Sequence, residues 1–217
     1  MKTILILICI FLVGAVAVYF YFKSTYPTGY FVQNQKVVFG DWIAGGHKII
    51  TTDLNPSNWK DLGNDYAHDE KIVVFNAHPL NGADVKTFQR IRVDASLVQD
   101  YYSRDKNYLY AGSGIVKGVD PDTADLWPGE YIKDKYGVYY KHQLLEGVDA
   151  TSAELIKSKD VIAIKDKSSV YVLGKKIDGA DIETFQIIND GPYQSGAAVF
   201  KDKNQYYDGI GEKTNSR

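Results

Sequence analysis

The chain of 217 residues has a single cysteine, Cys9, and it lies inside an apolar run, so the body that follows can form no internal disulfide and offers no thiol chemistry. It also lacks charge of one sign: 25 basic against 27 acidic residues leave a formal net charge of -2. They are spread along the chain with no basic stripe, which excludes the electrostatic footprint of a nucleic-acid binder. The four histidines, His47, His68, His78 and His142, contain no pair at metal-ligand spacing. Nucleophile motifs, phosphate loops and dinucleotide fingerprints are missing as well. No catalytic, cofactor-binding or metal-ligating residue is therefore assigned, and no enzymatic activity is expected. A carboxylate pair assembled only in three dimensions, as a glycosidase needs, stays open. What remains is burial: 45% hydrophobic content suffices for one domain of ordinary size without covalent staples.

Ile4 to Phe22 is an uncharged, nearly all-apolar stretch, preceded by Met1-Lys2-Thr3 and closed by Lys23. As a helix it rises roughly 28 Å, about the hydrocarbon thickness of a bilayer. Residues 1–23 are expected to be an N-terminal membrane anchor or signal sequence. Ala15-Val16-Ala17 fits the small-x-small cleavage pattern of a signal peptide. Against cleavage, Val18-Tyr19-Phe20-Tyr21-Phe22 continues the run, with aromatics where an interfacial belt lies. A buried core helix is the remaining alternative. The anchored reading places the chain as a single-pass protein of a bacterial inner membrane, its C-terminal domain periplasmic or extracellular.

The rest repeats. Four times an Asp is followed fifteen residues later by another: Asp69/Asp84, Asp105/Asp120, Asp134/Asp149 and Asp166/Asp181; Asp202 opens a fifth copy. Relative to the first Asp, positions four and five are Val73-Val74, Leu109-Tyr110, Val138-Tyr139 and Val170-Tyr171, residues that suit a strand. A second strand is expected just before the Asp, as in Tyr131-Ile132-Lys133, with Asp-Lys-Asn turning the chain between them. Leu80, Val116, Leu145 and Ile177 at position eleven are expected core residues. The second Asp, with Thr or Ser close behind, reads as an N-cap opening one helical turn, with Phe88 and Phe185 pinned beneath it. The predicted architecture is mainly β: four to five short-strand hairpin repeats at intervals of 29 to 36 residues, each with a helical turn, after an N-terminal transmembrane helix. Residues 24–65 read as a degenerate first repeat. There Tyr30-Phe31-Val32 and Val37-Val38-Phe39 suggest a hairpin, and Trp59 takes the place of Phe88. The unit at Asp202 is truncated and reads as a cap.

The strings Asp105-Lys106-Asn107-Tyr108-Leu109-Tyr110, Asp134-Lys135-Tyr136-Gly137-Val138-Tyr139-Tyr140 and Asp202-Lys203-Asn204-Gln205-Tyr206-Tyr207 resemble the signature of the bacterial DKNYY repeat family. The repeat domain so delimited is 66–217; its first copy departs from the signature as Asp69-Glu70-Lys71-Ile72. The resemblance implies a bacterial, often exported protein and supplies no catalytic residue.

Two features invite a site. The repeated aspartates suggest calcium, but only Asp120-Pro121-Asp122-Thr123-Ala124-Asp125 is dense, and turn and cap duty explains them with fewer assumptions. The tyrosine pairs Tyr101-Tyr102, Tyr139-Tyr140 and Tyr206-Tyr207 are the candidate binding residues, with one of each pair expected in the core and the other at the surface. Trp42, Trp59 and Trp127 read as loop or capping residues, and an exposed one among them would strengthen a binding surface. The expected function is a membrane-anchored, extracytoplasmic interaction module with a protein partner in the cell envelope. The alternatives are a periplasmic immunity protein that blocks an antibacterial toxin, an enzyme acting on cell-wall glycan, and a purely structural envelope protein.

Overall fold

A computed structural model describes residues 26–91, 101–158, 161–189 and 198–215. The apolar run of residues 4–22, read as an anchor or signal, lies outside them; no helix among the described residues is long and apolar enough to cross a membrane. The described chain is strand and turn throughout, organised as small antiparallel meanders. It divides into two compact units between Arg90 and Ile91.

The first unit opens with β1 (Gly29–Gln33), β2 (Lys36–Ile43) and β3 (Gly46–Thr51), a three-stranded sheet. Asn34 and Gln35, at φ 51° and 62°, form the two-residue turn between β1 and β2, the left-handed geometry whose twist matches paired strands. This is the hairpin expected from Tyr30-Phe31-Val32 and Val37-Val38-Phe39. β4 (Lys60–Gly63), β5 (Tyr66–His68), β6 (Val73–Phe75) and β7 (His78–Pro79) form the next sheet, and β8 (Gln89–Arg90) ends the unit. Tyr30, Val37, Phe39 and Leu54 from the first part pack with Ala67, Val74 and Ala77 from the second, with Trp59 against them.

The second unit repeats the same meander. β9 (Tyr102–Arg104), β10 (Leu109–Ala111) and β11 (Gly114–Ile115) pair in sequence. Three four-stranded sheets follow: β12 (Asp125–Trp127) to β15 (Gln143–Leu144), β16 (Glu154–Lys157) to β19 (Lys175–Lys176), and β20 (Gln186–Ile187) to β23 (Lys213–Thr214). Within these, β13 (Tyr131–Lys133), β17 (Ile162–Lys165) and β21 (Ala198–Lys201) precede the signature Asp, and β14 (Val138–Tyr140), β18 (Val170–Val172) and β22 (Tyr206–Asp208) follow it.

The sheets are larger than the expected hairpins. Each of these sheets has four strands rather than the two of a hairpin, because the segment after the capped turn pairs with the opening strand of the following copy, as Leu126 does with Ile132 and Leu155 with Ile164. The capped segment makes a single turn, as expected, and does not continue into a helix: the Phe88 N–H reaches the Asp84 carbonyl (2.9 Å), and the chain then extends. Trp59 repeats that bond to Asn55 (3.1 Å), so its equivalence to Phe88 is structural.

The hydrophobic cores lie between successive copies. Leu109 and Val116 pack with Ile132 and Tyr139; Val138 and Ala153 with Ile164 and Tyr171; Val170, Val172 and Phe185 with Phe200 and Tyr207. Side chains alternate along a strand, so Leu109, Val138 and Val170 at position four enter the core shared with the next copy, and Val74, Tyr139, Tyr171 and Tyr207 at position five the core shared with the preceding part of the chain. Both faces of the central strand are thereby buried, which accounts for two adjacent apolar residues in the signature rather than one. Tyr206, at position four of the last copy, is half-buried, whereas Val73, Leu109, Val138 and Val170 at that position are at most 1% exposed.

Candidate functional site

The signature Asp is the most heavily used side chain in each copy. Asp69, Asp105, Asp134, Asp166 and Asp202 are all buried. One carboxylate oxygen, Oδ1, accepts the backbone N–H groups two and three residues ahead: 2.7 and 2.9 Å at Asp69, 2.7 and 2.8 Å at Asp105, 2.8 and 2.9 Å at Asp134, 2.7 and 2.7 Å at Asp166, 2.7 and 2.8 Å at Asp202. A carboxylate bound this way mimics a backbone turn and closes the hairpin.

The other oxygen, Oδ2, reaches back to the preceding copy. It accepts the amide N–H of Asp120 at Asp134 (2.6 Å), of Asp149 at Asp166 (2.8 Å) and of Asp181 at Asp202 (2.7 Å). Asp69 takes the N–H of Asn55 in the same way (2.8 Å), so Asn55 holds the place that the second Asp holds in the later joints. Burial pushes the Asp69, Asp166 and Asp202 carboxyls up, and the converging N–H groups outweigh it, leaving all three below the usual carboxylate range.

The Lys that follows completes the joint. Lys135, Lys167 and Lys203 pair with Asp120, Asp149 and Asp181 at 2.6, 2.7 and 2.6 Å. Their backbone N–H groups donate to the cap hydroxyls of Thr123 (3.2 Å), Ser152 (3.2 Å) and Thr184 (3.0 Å). The Lys135 ammonium, with Thr123, holds Asp120 down to about 2, and Asp149 and Asp181 are lowered by the same kind of contact with Lys167 and Lys203. Asp-Lys is thus a clasp between neighbouring copies. In Asp120-Pro121-Asp122-Thr123-Ala124-Asp125, Asp120 is occupied by Lys135 and Thr123, and Asp125 accepts the Trp127 indole N–H (2.7 Å). No group of three metal-ligating side chains occurs among the described residues.

The tyrosine pairs divide. Tyr102, Tyr139 and Tyr207 are buried at 4%, 3% and 1% exposure, while Tyr101, Tyr140 and Tyr206 are half-buried. The Tyr207 hydroxyl donates to Asp202 (2.8 Å) and that of Tyr110 to Asp105 (2.9 Å); Tyr139 donates to the Gly118 carbonyl (2.7 Å). The Tyr102 hydroxyl meets His142 Nε2 at 2.9 Å. Burial raises the phenols of Tyr102, Tyr139 and Tyr207, the first to about 12. Tyr140 lies on Tyr131, with centroids 4.8 Å apart, under the Lys141 ammonium.

Beside the clasp lies a groove, and it occurs twice at equivalent places. The first, about 400 Å³, is lined by Thr123, Asp125, Lys133, Asp134, Lys135, Ala150 and Thr151. The second, about 580 Å³, is lined by Ser152, Glu154, Lys165, Asp166, Lys167 and the turn from Ala180 to Glu183. In each, a Lys on either side of the signature Asp faces a cap hydroxyl and an acidic residue on the strand after it. Lys133 donates to the Ala153 carbonyl (3.0 Å) and lies 5.3 Å from the Trp127 ring; Lys165 pairs with Glu154 (2.9 Å). These lysines one residue before the Asp were not singled out in the sequence, because a lone Lys at a strand end has no pattern of its own.

Trp59 keeps its expected capping place, while Trp42 and Trp127 lie on strands. Trp127 ends a strand and is 9% exposed, whereas Trp42, read as a loop residue, stands on β2 at 55% exposure. Its ring meets Tyr26 at 5.3 Å and His47 at 5.5 Å, and Ile43 beside it is 49% exposed. Only alternation against a known partner strand would have revealed this cluster.

A mainly β array whose copies are clasped by Asp and Lys defines a β-repeat protein. Residues 66–210 match the DKNYY family, and the chain belongs to that family. No curated protein and no solved structure matches it.

Proposed function

We propose that the chain is a membrane-anchored, extracytoplasmic binding module that presents its repeats to a protein partner in the cell envelope. The observation that carries this reading is the recurrence of one groove in successive copies, each with paired lysines, a cap hydroxyl and a carboxylate on open surface. Equivalent sites at regular intervals suit an extended ligand, because each added contact is made at high effective concentration once the first has formed. The half-buried tyrosines Tyr101, Tyr140 and Tyr206 are secondary candidates for contact. The apolar run of residues 4–22 supports the anchor and the single-pass placement in a bacterial inner membrane.

The test is crosslinking in intact cells of the native host, with the full-length chain carrying a photoreactive residue at Lys133 or Lys165. One dominant protein adduct at both positions is the expected result. Adducts with cell-wall glycan alone, or none at either position while the chain is present in the envelope, would overturn the proposal.

A further inference from the structure

We propose that the tip of the β2–β3 hairpin is a lipid-contacting element that seats the first sheet on the surface of the membrane holding the anchor. The inference rests on reading residues 4–22 as that anchor. The tip is apolar on both faces: Trp42 and Ile49 lie on one and Ile43 on the other, at 55%, 39% and 49% exposure, around the two-residue connection Ala44-Gly45. A solvated hairpin normally carries polar residues there, and an exposed Trp beside Ile is the composition of an interfacial anchor.

The position of the tip follows from the chain. Tyr26 and Pro27 are fixed against this hairpin by three contacts. Tyr26 packs on Trp42 and on His47 (5.3 and 5.5 Å), and the His47 ring Nε2 meets the Pro27 carbonyl oxygen at 2.7 Å. Gly40 lets the Pro27 backbone lie directly on β2, where a Cβ would fall on the Pro27 carbonyl oxygen. The four steps from Phe22, the last apolar residue of the run, to Tyr26 span at most about 14 Å of extended chain. The aromatic cluster is therefore held within headgroup reach of the point where the chain leaves the hydrocarbon. Charge supplies no alternative explanation: Asp41 stands opposite Lys48 in the register of the hairpin, so one charge of each sign lies behind an apolar tip.

The experiment uses the full-length chain in phosphatidylcholine vesicles, with Cys9→Ser and a single bimane-labelled cysteine at Ile43→Cys or, as control, Ser57→Cys. Ser57 is an exposed turn residue of the same unit. Brominated lipid should quench the label at 43 and leave that at 57 unchanged, and aqueous iodide should do the reverse. Adding Trp42→Ser should weaken the lipid quenching at 43, with Trp42→Phe restoring it. Because the tip is neutral, raising the salt concentration should leave the quenching unchanged. If the chain floats with the vesicles and both labels respond to iodide alone, the tip faces water or another protein and the proposal is overturned while the anchor stands. If the chain fails to float, the anchor reading falls and takes this proposal with it.

Discussion

Replacing Asp166 by Asn separates the two halves of the clasp. The amide keeps one oxygen for the Oδ1 role, where it accepts from Ser168 and Ser169, and puts an NH₂ where Oδ2 receives the Asp149 N–H. One bond to a charged acceptor is lost, roughly 1.5–3 kcal/mol, and two donors then face each other in a buried joint, so the total cost is about 3 kcal/mol. For a chain of this size that corresponds to a melting-temperature drop of about 6–12 °C. Asp166→Ala also strands the Ser168 and Ser169 N–H groups and should cost more, about 4–5 kcal/mol. Thermal unfolding of the detergent-solubilised full-length chain, followed by near-ultraviolet circular dichroism, reads both. Asp178→Asn, an equal charge change at an exposed position, controls for net charge. If Asp166→Asn melts with Asp178→Asn, the bond between copies adds nothing and the reasoning fails.

Four further outcomes are expected. The carboxyls of Asp69, Asp120, Asp149, Asp166, Asp181 and Asp202 are lower in the folded chain than the unfolded value near 3.9, so their stabilisation is present above about pH 4 and is lost as pH falls through the folded values. An acid titration by circular dichroism should therefore show unfolding below about pH 4. The phenols of Tyr30, Tyr102, Tyr139 and Tyr207 are raised, so the folded state is favoured below the unfolded value near 10 and loses that advantage as pH rises. Absorbance at alkaline pH should show a class of tyrosines that ionises only together with unfolding. Among the described residues the buried Tyr171 hydroxyl has no hydrogen-bond partner, while that of Tyr207 donates to Asp202. Tyr171→Phe should be neutral or slightly stabilising and Tyr207→Phe should cost about 1–2 kcal/mol by denaturant titration. Gly174, at φ 75°, sits where a Cβ would meet the Tyr140 ring, so Gly174→Ala should cost about 2–4 kcal/mol, and a double-mutant cycle with Tyr140→Ala should recover the steric part.

The repeat frame was legible because its turn chemistry is local. Asp134 closes its own hairpin on Tyr136 and Gly137, three residues away at most, and the strand at Val138-Tyr139 follows directly from β-branched and aromatic residues. The β1–β2 hairpin was readable for the same reason, with Asn34-Gln35 as its turn, and so was the capped turn at Asn55. What was not legible depends on a partner distant in sequence. Leu126 becomes strand because Ile132 of the next copy pairs with it, and a three-residue segment has too little alternation to announce that. The second carboxylate oxygen of Asp166 is committed to Asp149, seventeen residues earlier, so an Asp that looks like a turn residue or a cation ligand in one dimension is a joint in three. Trp42 was misplaced because β2 runs eight residues and leaves the sheet core at its end, a boundary set by where the paired layers stop.

The Asp-Lys signature joins neighbouring copies, and amide hydrogen exchange at Asp149 reads that joint at a single bond. The Asp149 N–H should exchange slowly and become fast in Asp166→Asn, with the Asp120 and Asp181 amides, held by Asp134 and Asp202, left slow. An Asp149 amide that exchanges freely in the unaltered chain would contradict it.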